Sequence, residues 1–449
     1  MTLTKAMLTM LASGLSAVLI ASTPVVSEVE MTQPEGTRLV TVRYSLSGAA
    51  AVVTLDIQTN ANTRASSDDP GWTSIGGDAI WNAMGDVWKK VECGEAGAKK
   101  TITWRPDHSW PNHTVPEGGA RAVVTAWSLD NPPDYMVVDL AAANAVHYYP
   151  SVDFLPGATI GQKGAVTNNP LYKTSKLVLR KIMARGIVWT MGSGAGETQR
   201  NLGMSETPHE VTLSENYYMG VFEVTQGQWA NVKVSSTAVA KYAGLMRPME
   251  SVSYNEIRNA ANDSHASHAA TDWPNAPHAQ SFLGLLRAKT GLDFDLPSEA
   301  QWEFAARAGH GTGCWNNGTR ILNTDVDGNL ADLGCYKGNS LGETVAVGSY
   351  APNTWGLYDM HGNVFEWCLD WKEEDITGFN GAVNIDPTDS TKSLSGAVFT
   401  GEWVMARMYR GGGFSSNAAN CRSGFRGQNA EWYNQKDLGF RIVCPVGVR

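Results

Sequence analysis

Long apolar runs are missing from almost all of this chain. Only MTLTKAMLTMLASGLSAVLI, at the start, gathers apolar residues from about Ala6 to Ile20, and that run is short for a membrane span. The lysine ahead of it and the small residues beyond it read as a secretory signal peptide over 1–27, cleaved near Ser27. The remainder is then an exported protein (periplasmic, cell-surface or extracellular) with no integral membrane segment. No cysteine directly follows the run, so a lipid anchor is not indicated. Blocks of like charge are missing too. The 35 Lys and Arg and 44 Asp and Glu are dispersed, for a net charge of −9, and without a basic surface nothing attracts a nucleic-acid backbone. Cysteine is scarce, at Cys93, Cys314, Cys335, Cys368, Cys421 and Cys444. Cys93 stands alone in the N-terminal half, which leaves an odd number of thiols in the C-terminal half and at least one unmatched there.

What is present divides the chain. From Thr37 to about Leu140 the pattern has period two: LVTVRYSL turns Val40, Val42 and Tyr44 one way, AVVTLDI turns Val53, Leu55 and Ile57 one way, and KTITW and ARAVVTAW follow. Turn-forming clusters such as SSDDPGW and DNPPDY separate the runs. The spacing predicts an all-β sandwich over 28–140, immunoglobulin-like or fibronectin-like, with GGDAIWNAMGDVWKKV as a short helix. Residues 141–171, rich in Gly, Pro and Asn, read as a linker.

A second domain, 172–449, mixes helices with short strands and long irregular stretches, the pattern of an α+β fold and not of βαβ alternation. Reciprocal capping pairs start three helices: Thr225 with Gln228, Ser253 with Glu256, and Ser298 with Gln301. The last helix should stop at Gly309, and SFLGLLRAKTG should form another ending at Gly291. The chain has 16 tryptophans, most of them expected in cores because each buries a large ring.

Six blocks then follow in order: IVWTMGS (187–193), HEVTLSENYYMGVFEVTQGQW (209–229), FDLPSEAQWEFAARAG (294–309), GLYDMHGNVFEWCLDW (356–371), RGGGF (410–414) and DLGFRIV (437–443). The series resembles the sulfatase-modifying-factor family, whose founding activity is the formylglycine-generating enzyme, over about residues 175–445. The resemblance implies a variant of the C-type lectin fold stiffened by calcium. Its first calcium site would use Asp359, Gly362, Val364 and Glu366, two hard oxygen ligands with two carbonyls between them. A second would use Asn329, Leu330, Asn339 and Leu341, with asparagine at 339 where the family has aspartate.

The family's oxidase holds copper(I) between two thiolates in a C-x4-C arrangement and oxidises a sulfatase cysteine to formylglycine with O2. Copper(I) is soft and prefers sulfur. Counting forward from RGGG, the ligand positions fall on Ser416 and Cys421; counting backward from DLGFR, both ligands are missing. Gly413 stands where active enzymes have a serine, and Phe365 where they have a tryptophan. Copper would bind here only if Cys421 joined Cys368 or Cys444. In an oxidising compartment a Cys368–Cys421 disulfide is the expectation instead.

His265 and His268 lack a third ligand nearby and read as surface residues. His361, beside Asp359, is a pocket candidate that could act as acid or base. A helical domain of the kind that iron sulfoxide synthases in a distant branch of the family require is not indicated. Three roles stay open: the oxidase, a variable surface-display or adhesion protein, and a module binding a glycan, peptide or protein. The third is the expectation, because 415–420 and 427–437 combine Asn417, Asn420, Trp432 and Tyr433, ring area with adaptable amides. Nothing in the sequence sets an oligomeric state.

Overall fold

The computed structural model describes residues 23–447 except 96, 143–144, 158–164, 195–196, 198–205, 235–238, 260–274, 312, 373–383, 386–396, 400–401 and 405. The expected signal peptide up to residue 22 and the pair His265 and His268 thus lie outside the described residues. Val25–Ser27 pairs with Ser45–Ser47 in a ladder, so cleavage near Ser27 would remove three rungs of the first strand.

Two antiparallel sheets build the N-terminal all-β region. One runs in the order Val25–Thr32, Val40–Ser47, Lys99–Trp104, Met84–Gly85. In the other, Ala51–Thr59 pairs along its length with Ala120–Trp127 and, at its two ends, with Thr73–Ser74 and Lys90–Val91. Val42, Tyr44, Val53, Leu55 and Ile57 meet in one core, as the alternation requires. Val52 and Thr54, on the opposite face of their strand, are buried as well. On that face Val52 shares a hydrophobic cluster with Met136, Leu177 and Phe440. The expected helix after residue 75 shrinks to one turn, Gly77–Ile80. A Cβ at Gly77 would lie 2.3 Å from the Phe154 backbone, so the chain turns where only glycine admits that approach.

The boundary moves for a related reason. Tyr135–Asp139 and Ala145–Tyr149 form a hairpin that continues through Lys176–Ile182, Tyr217–Gly220 and Val443–Pro445 as one five-stranded antiparallel sheet. Part of the expected linker is therefore sheet, and the two regions share buried side chains, with Tyr44 and Leu55 in the same cluster as Val178, Phe222 and Tyr358.

Three helices carry the full reciprocal cap at Thr225, Ser253 and Ser298. Phe282–Thr290 ends at left-handed Gly291, and Glu299–Arg307 ends at Ala308, one residue before Gly309. Trp229 stacks on Phe282 at 5.0 Å while Phe440 meets both edge-on. A four-stranded sheet ordered Gly427–Ala430, Ala406–Arg410, Phe365–Trp371, Leu438–Gly439 presents the C-terminal motifs side by side. No helix among the described residues is long and apolar enough to cross a membrane.

Candidate functional site

The 356–371 motif enters its strand through a tight loop in which Asp359, Gly362 and Asn363 all have positive φ. A Cβ at Gly362 would lie 2.2 Å from the Cys335 carbonyl oxygen, which fixes glycine there. Three carboxylates gather behind this loop. Both oxygens of Glu366 accept from Arg441 at 2.6 Å, and Oε2 also accepts from Trp302 Nε1 at 2.6 Å. Glu223 accepts from the Asn363 amide and the Val364 N–H. Burial, then the charges of Asp359 and Glu366, push its carboxyl well above the usual range. Asp359 accepts from Gly348 N–H at 2.6 Å, while its Oδ1 is buried with no hydrogen-bond partner. Burial lifts its carboxyl to about 6.

At the first of the two expected calcium sites, Asp359 keeps one buried oxygen with no hydrogen-bond partner, an acceptor that a cation would satisfy. Glu366 is already neutralised by Arg441. At the second, Asn339, the Asn329 amide nitrogen and the Leu330 carbonyl already have partners within the protein. The Asn339 amide donates to Ala331 O and Gly334 O and its oxygen accepts from Tyr336 N–H. Asn329 donates to Arg320 O, the Leu330 carbonyl accepts from Leu333 and Gly334 N–H, and Leu341 is exposed. These side chains staple the loop.

At the expected copper position the residues serve other ends. Ser416 Oγ accepts from Gly413 N–H at 3.0 Å, and Ser416 O accepts from Lys337 N–H. A Cβ at Gly413 would lie 2.8 Å from Asp437 Cβ, so a serine there would have to displace Asp437. Cys421 is fully buried, and burial, Cys335 and Asp437 raise its thiol above the usual range; Cys335 is pushed up to about 12 by burial. Thiolates, the copper-binding form, are thereby disfavoured.

No disulfide joins Cys368 to Cys421, which corrects that expectation: both are free thiols. They face different cores, Cys368 with Met360, Trp302 and Met408, Cys421 with Trp315, Tyr336 and Ala418, while Cys444 lies in a third. Among the described residues no three His, Cys, Asp or Glu side chains form a metal cluster.

His361 is not in an open pocket either. Its Nε2 accepts from Asn316 N–H at 3.0 Å, so Nδ1–H donates to Cys421 O at 2.8 Å. Burial holds it neutral, with its pKa lowered to about 4. The ring ties two loops together.

The 411–426 stretch is clamped by buried ion pairs. Arg422 grips Glu206 through two nitrogens at 2.8 and 2.9 Å, Arg426 grips Glu299 at 3.0 and 2.6 Å, and Arg410 reaches Glu303 at 2.5 Å. The N–H of Glu299 is accepted by Asp370 at 2.7 Å.

The expected ligand-contacting residues have separate surroundings. Phe365 meets Tyr409 at 4.9 Å and Phe425 at 6.1 Å. Trp432 is half-buried, its indole without a hydrogen-bond or ring partner among the described residues. Tyr433 is half-buried, and its hydroxyl donates to Gln435 Oε1. Asn417 is exposed and accepts from Lys337 Nζ at 3.1 Å, and Asn420 is half-buried. Ser415 donates to Asp437 Oδ2, leaving Asp437 Oδ1 buried without a donor. Tyr409, Phe425 and Asp437 escaped the sequence reading. The alternation in MYRGGGF and the aromatic in CRSGFR were the available signals for the first two.

Residues 180–446 match the family described as sulfatase-modifying factor enzyme 1-like domain, more than half of the chain, and the chain belongs to that family. Among curated relatives, a formylglycine-generating enzyme of Thermomonospora curvata is 31% identical over 196 residues, covering 39% of this chain and 57% of that protein. Serine/threonine-protein kinase pkn1 of Chlamydia pneumoniae is 25% identical over 279 residues, covering 61% of this chain. The chain thus spans only 39% and 57% of the lengths of the kinase and the enzyme respectively. Among solved structures, PvdO from Pseudomonas aeruginosa is 23% identical, with 60% of this chain and 94% of that chain covered at a TM-score of 0.43.

Proposed function

We propose that this is an exported ligand-binding protein in which the family scaffold, a C-type-lectin-like one, is kept without the copper oxidase centre. The observation that carries the reading is the state of the two ligand positions. The Ser416 hydroxyl is committed to its own loop, and the Cys421 thiol is buried in a core that holds Cys314 but neither Cys368 nor Cys444, where burial keeps Cys421, Cys314 and the nearby Cys335 in the thiol form. Two converging thiolates are what copper(I) requires.

The ligand surface is the neighbouring face: Phe365, Tyr409 and Phe425 as apolar floor, Trp432 and Tyr433 as partly open rings, Asn417 and Asn420 as adaptable polar groups. Such a mixture suits a glycan or a peptide. The ion pairs of Arg410, Arg422 and Arg426 hold the loop in one conformation, which lowers the entropy cost of binding. Calcium, held by Asp359 with the carbonyls of Gly362 and Val364, would supply positive charge to the carboxylate pocket beneath. The test is a glycan array and a peptide panel run with the wild type and with Trp432→Ala. A hit lost in the variant is expected, and a hit kept at full strength would place binding elsewhere.

A further inference from the structure

A cleft of 690 Å³ opens at one end of the all-β region and shares no residue with the Cys421 loop. Its volume lies within the roughly 300–1,000 Å³ of small-molecule sites. Val40, Ile57 and Trp104 contribute to its lining and are almost completely buried themselves. Along the same lining, Trp104 and Trp110 lie with ring centroids 6.4 Å apart and an interplanar angle of 28°. Trp110 and His113 follow at 4.1 Å and 10°. The His113 ring is oriented by Nδ1, which lies 2.9 Å from Pro111 O and 3.2 Å from Trp110 O.

The charges around the cleft are unequal. Asp107 is taken by Arg105 through two nitrogens at 3.0 and 2.9 Å. Arg38 is exposed and has no ion-pair or hydrogen-bond partner among the described residues. The uncompensated charge of the lining is therefore positive. Asn112 adds an exposed amide on a backbone in the left-handed region, φ 64. A flat ring ladder, an apolar base, an amide and one unpaired guanidinium form a definite set of recognition groups. They match a pyranose ring whose C–H face lies on an aromatic platform and whose exocyclic carboxylate meets arginine.

We propose that this cleft is a carbohydrate site for an acidic sugar, with the exposed end of the Trp104–Trp110–His113 row as the platform, Trp110 backing it, and Arg38 as the carboxylate partner. It stands on the all-β region alone and does not depend on the reading of the Cys421 loop. The test is calorimetric titration of the full chain with oligogalacturonate and, separately, with a neutral glucan and a polyglutamate peptide.

Binding of oligogalacturonate ahead of both others is expected, weakened about tenfold, or ~1.4 kcal/mol, in Arg38→Leu and in Trp110→Ala. Arg38 is exposed, so Arg38→Leu reads the site even if Trp110→Ala unfolds. Absence of oligogalacturonate binding, unchanged affinity in Arg38→Leu, or equal binding of the polyglutamate would each overturn the proposal.

Discussion

Replacing Arg441 with methionine probes the centre of the C-terminal fold. Its guanidinium is fully buried and makes two 2.6 Å contacts to Glu366, while its other N–H groups donate to Gly220 O and Tyr358 O at 2.9 Å. Glu223 and Asp359 lie in the same pocket and both count Arg441 among the charges that favour their ionised forms. Methionine fills much of the volume but strands the Glu366 carboxylate with only the Trp302 indole as donor.

Breaking a buried pair from one side costs about 3–5 kcal/mol, because the remaining charge keeps its desolvation penalty and loses its partner. Removing both charges, in Arg441→Met with Glu366→Gln, should recover most of that loss. Urea unfolding of the wild type, both single variants and the double variant forms the cycle. A single-variant loss under about 1 kcal/mol, or a double-variant loss equal to the sum of the singles, would refute the idea that the pair is coupled and desolvated.

Three further outcomes are expected. Burial, then Glu299, raises the Asp370 carboxyl to about 7 from 3.8. The folded state therefore holds a proton that the unfolded state releases between those values, and this contribution to stability is present at low pH and lost as pH rises through about 7. Asp370→Asn should be more stable than wild type near pH 8, with the gap closing toward pH 4, as read from urea midpoints. Alkylation of the denatured, unreduced protein followed by peptide mass mapping should label both Cys368 and Cys421; a linked peptide pair would contradict the separation of their cores. Calcium should raise the thermal midpoint of the wild type relative to a chelator and leave that of Asp359→Asn unchanged.

Local chemistry made the sequence readable in some places and not in others. The three reciprocal caps depend on residues three apart, and each formed as read. The period-two runs gave the buried faces of the all-β region, because one face of a strand is set by its own side chains. Long-range decisions were hidden. Nothing in YMVVD or AVHYY says which sheet they join: Tyr135–Asp139 paired across the expected boundary with Lys176–Ile182, and Ala145–Tyr149 took the edge beside Tyr135–Asp139.

The site divides in the same way. The serine at 416, where one register of the family resemblance places a copper ligand, was visible as a letter. The packing of Cys368 and Cys421 into separate cores was not, and the compartment argument pointed to a bridge the fold does not make. His361 looked available beside a carboxylate, but its partners Asn316 and Cys421 are distant in sequence. Arg422 and Arg426, one clamping Glu206 and the other Glu299, were passed over for the cysteine between the glycines and them.

The most direct measurement is made on the purified chain: competition for copper(I) against a thiolate-strength chelator, followed by incubation with O2 and a Cys-x-Pro-x-Arg peptide under mass spectrometry. The account predicts that the chelator keeps the metal and the peptide cysteine keeps its mass. Copper retained by the protein together with conversion of that cysteine to an aldehyde would contradict it.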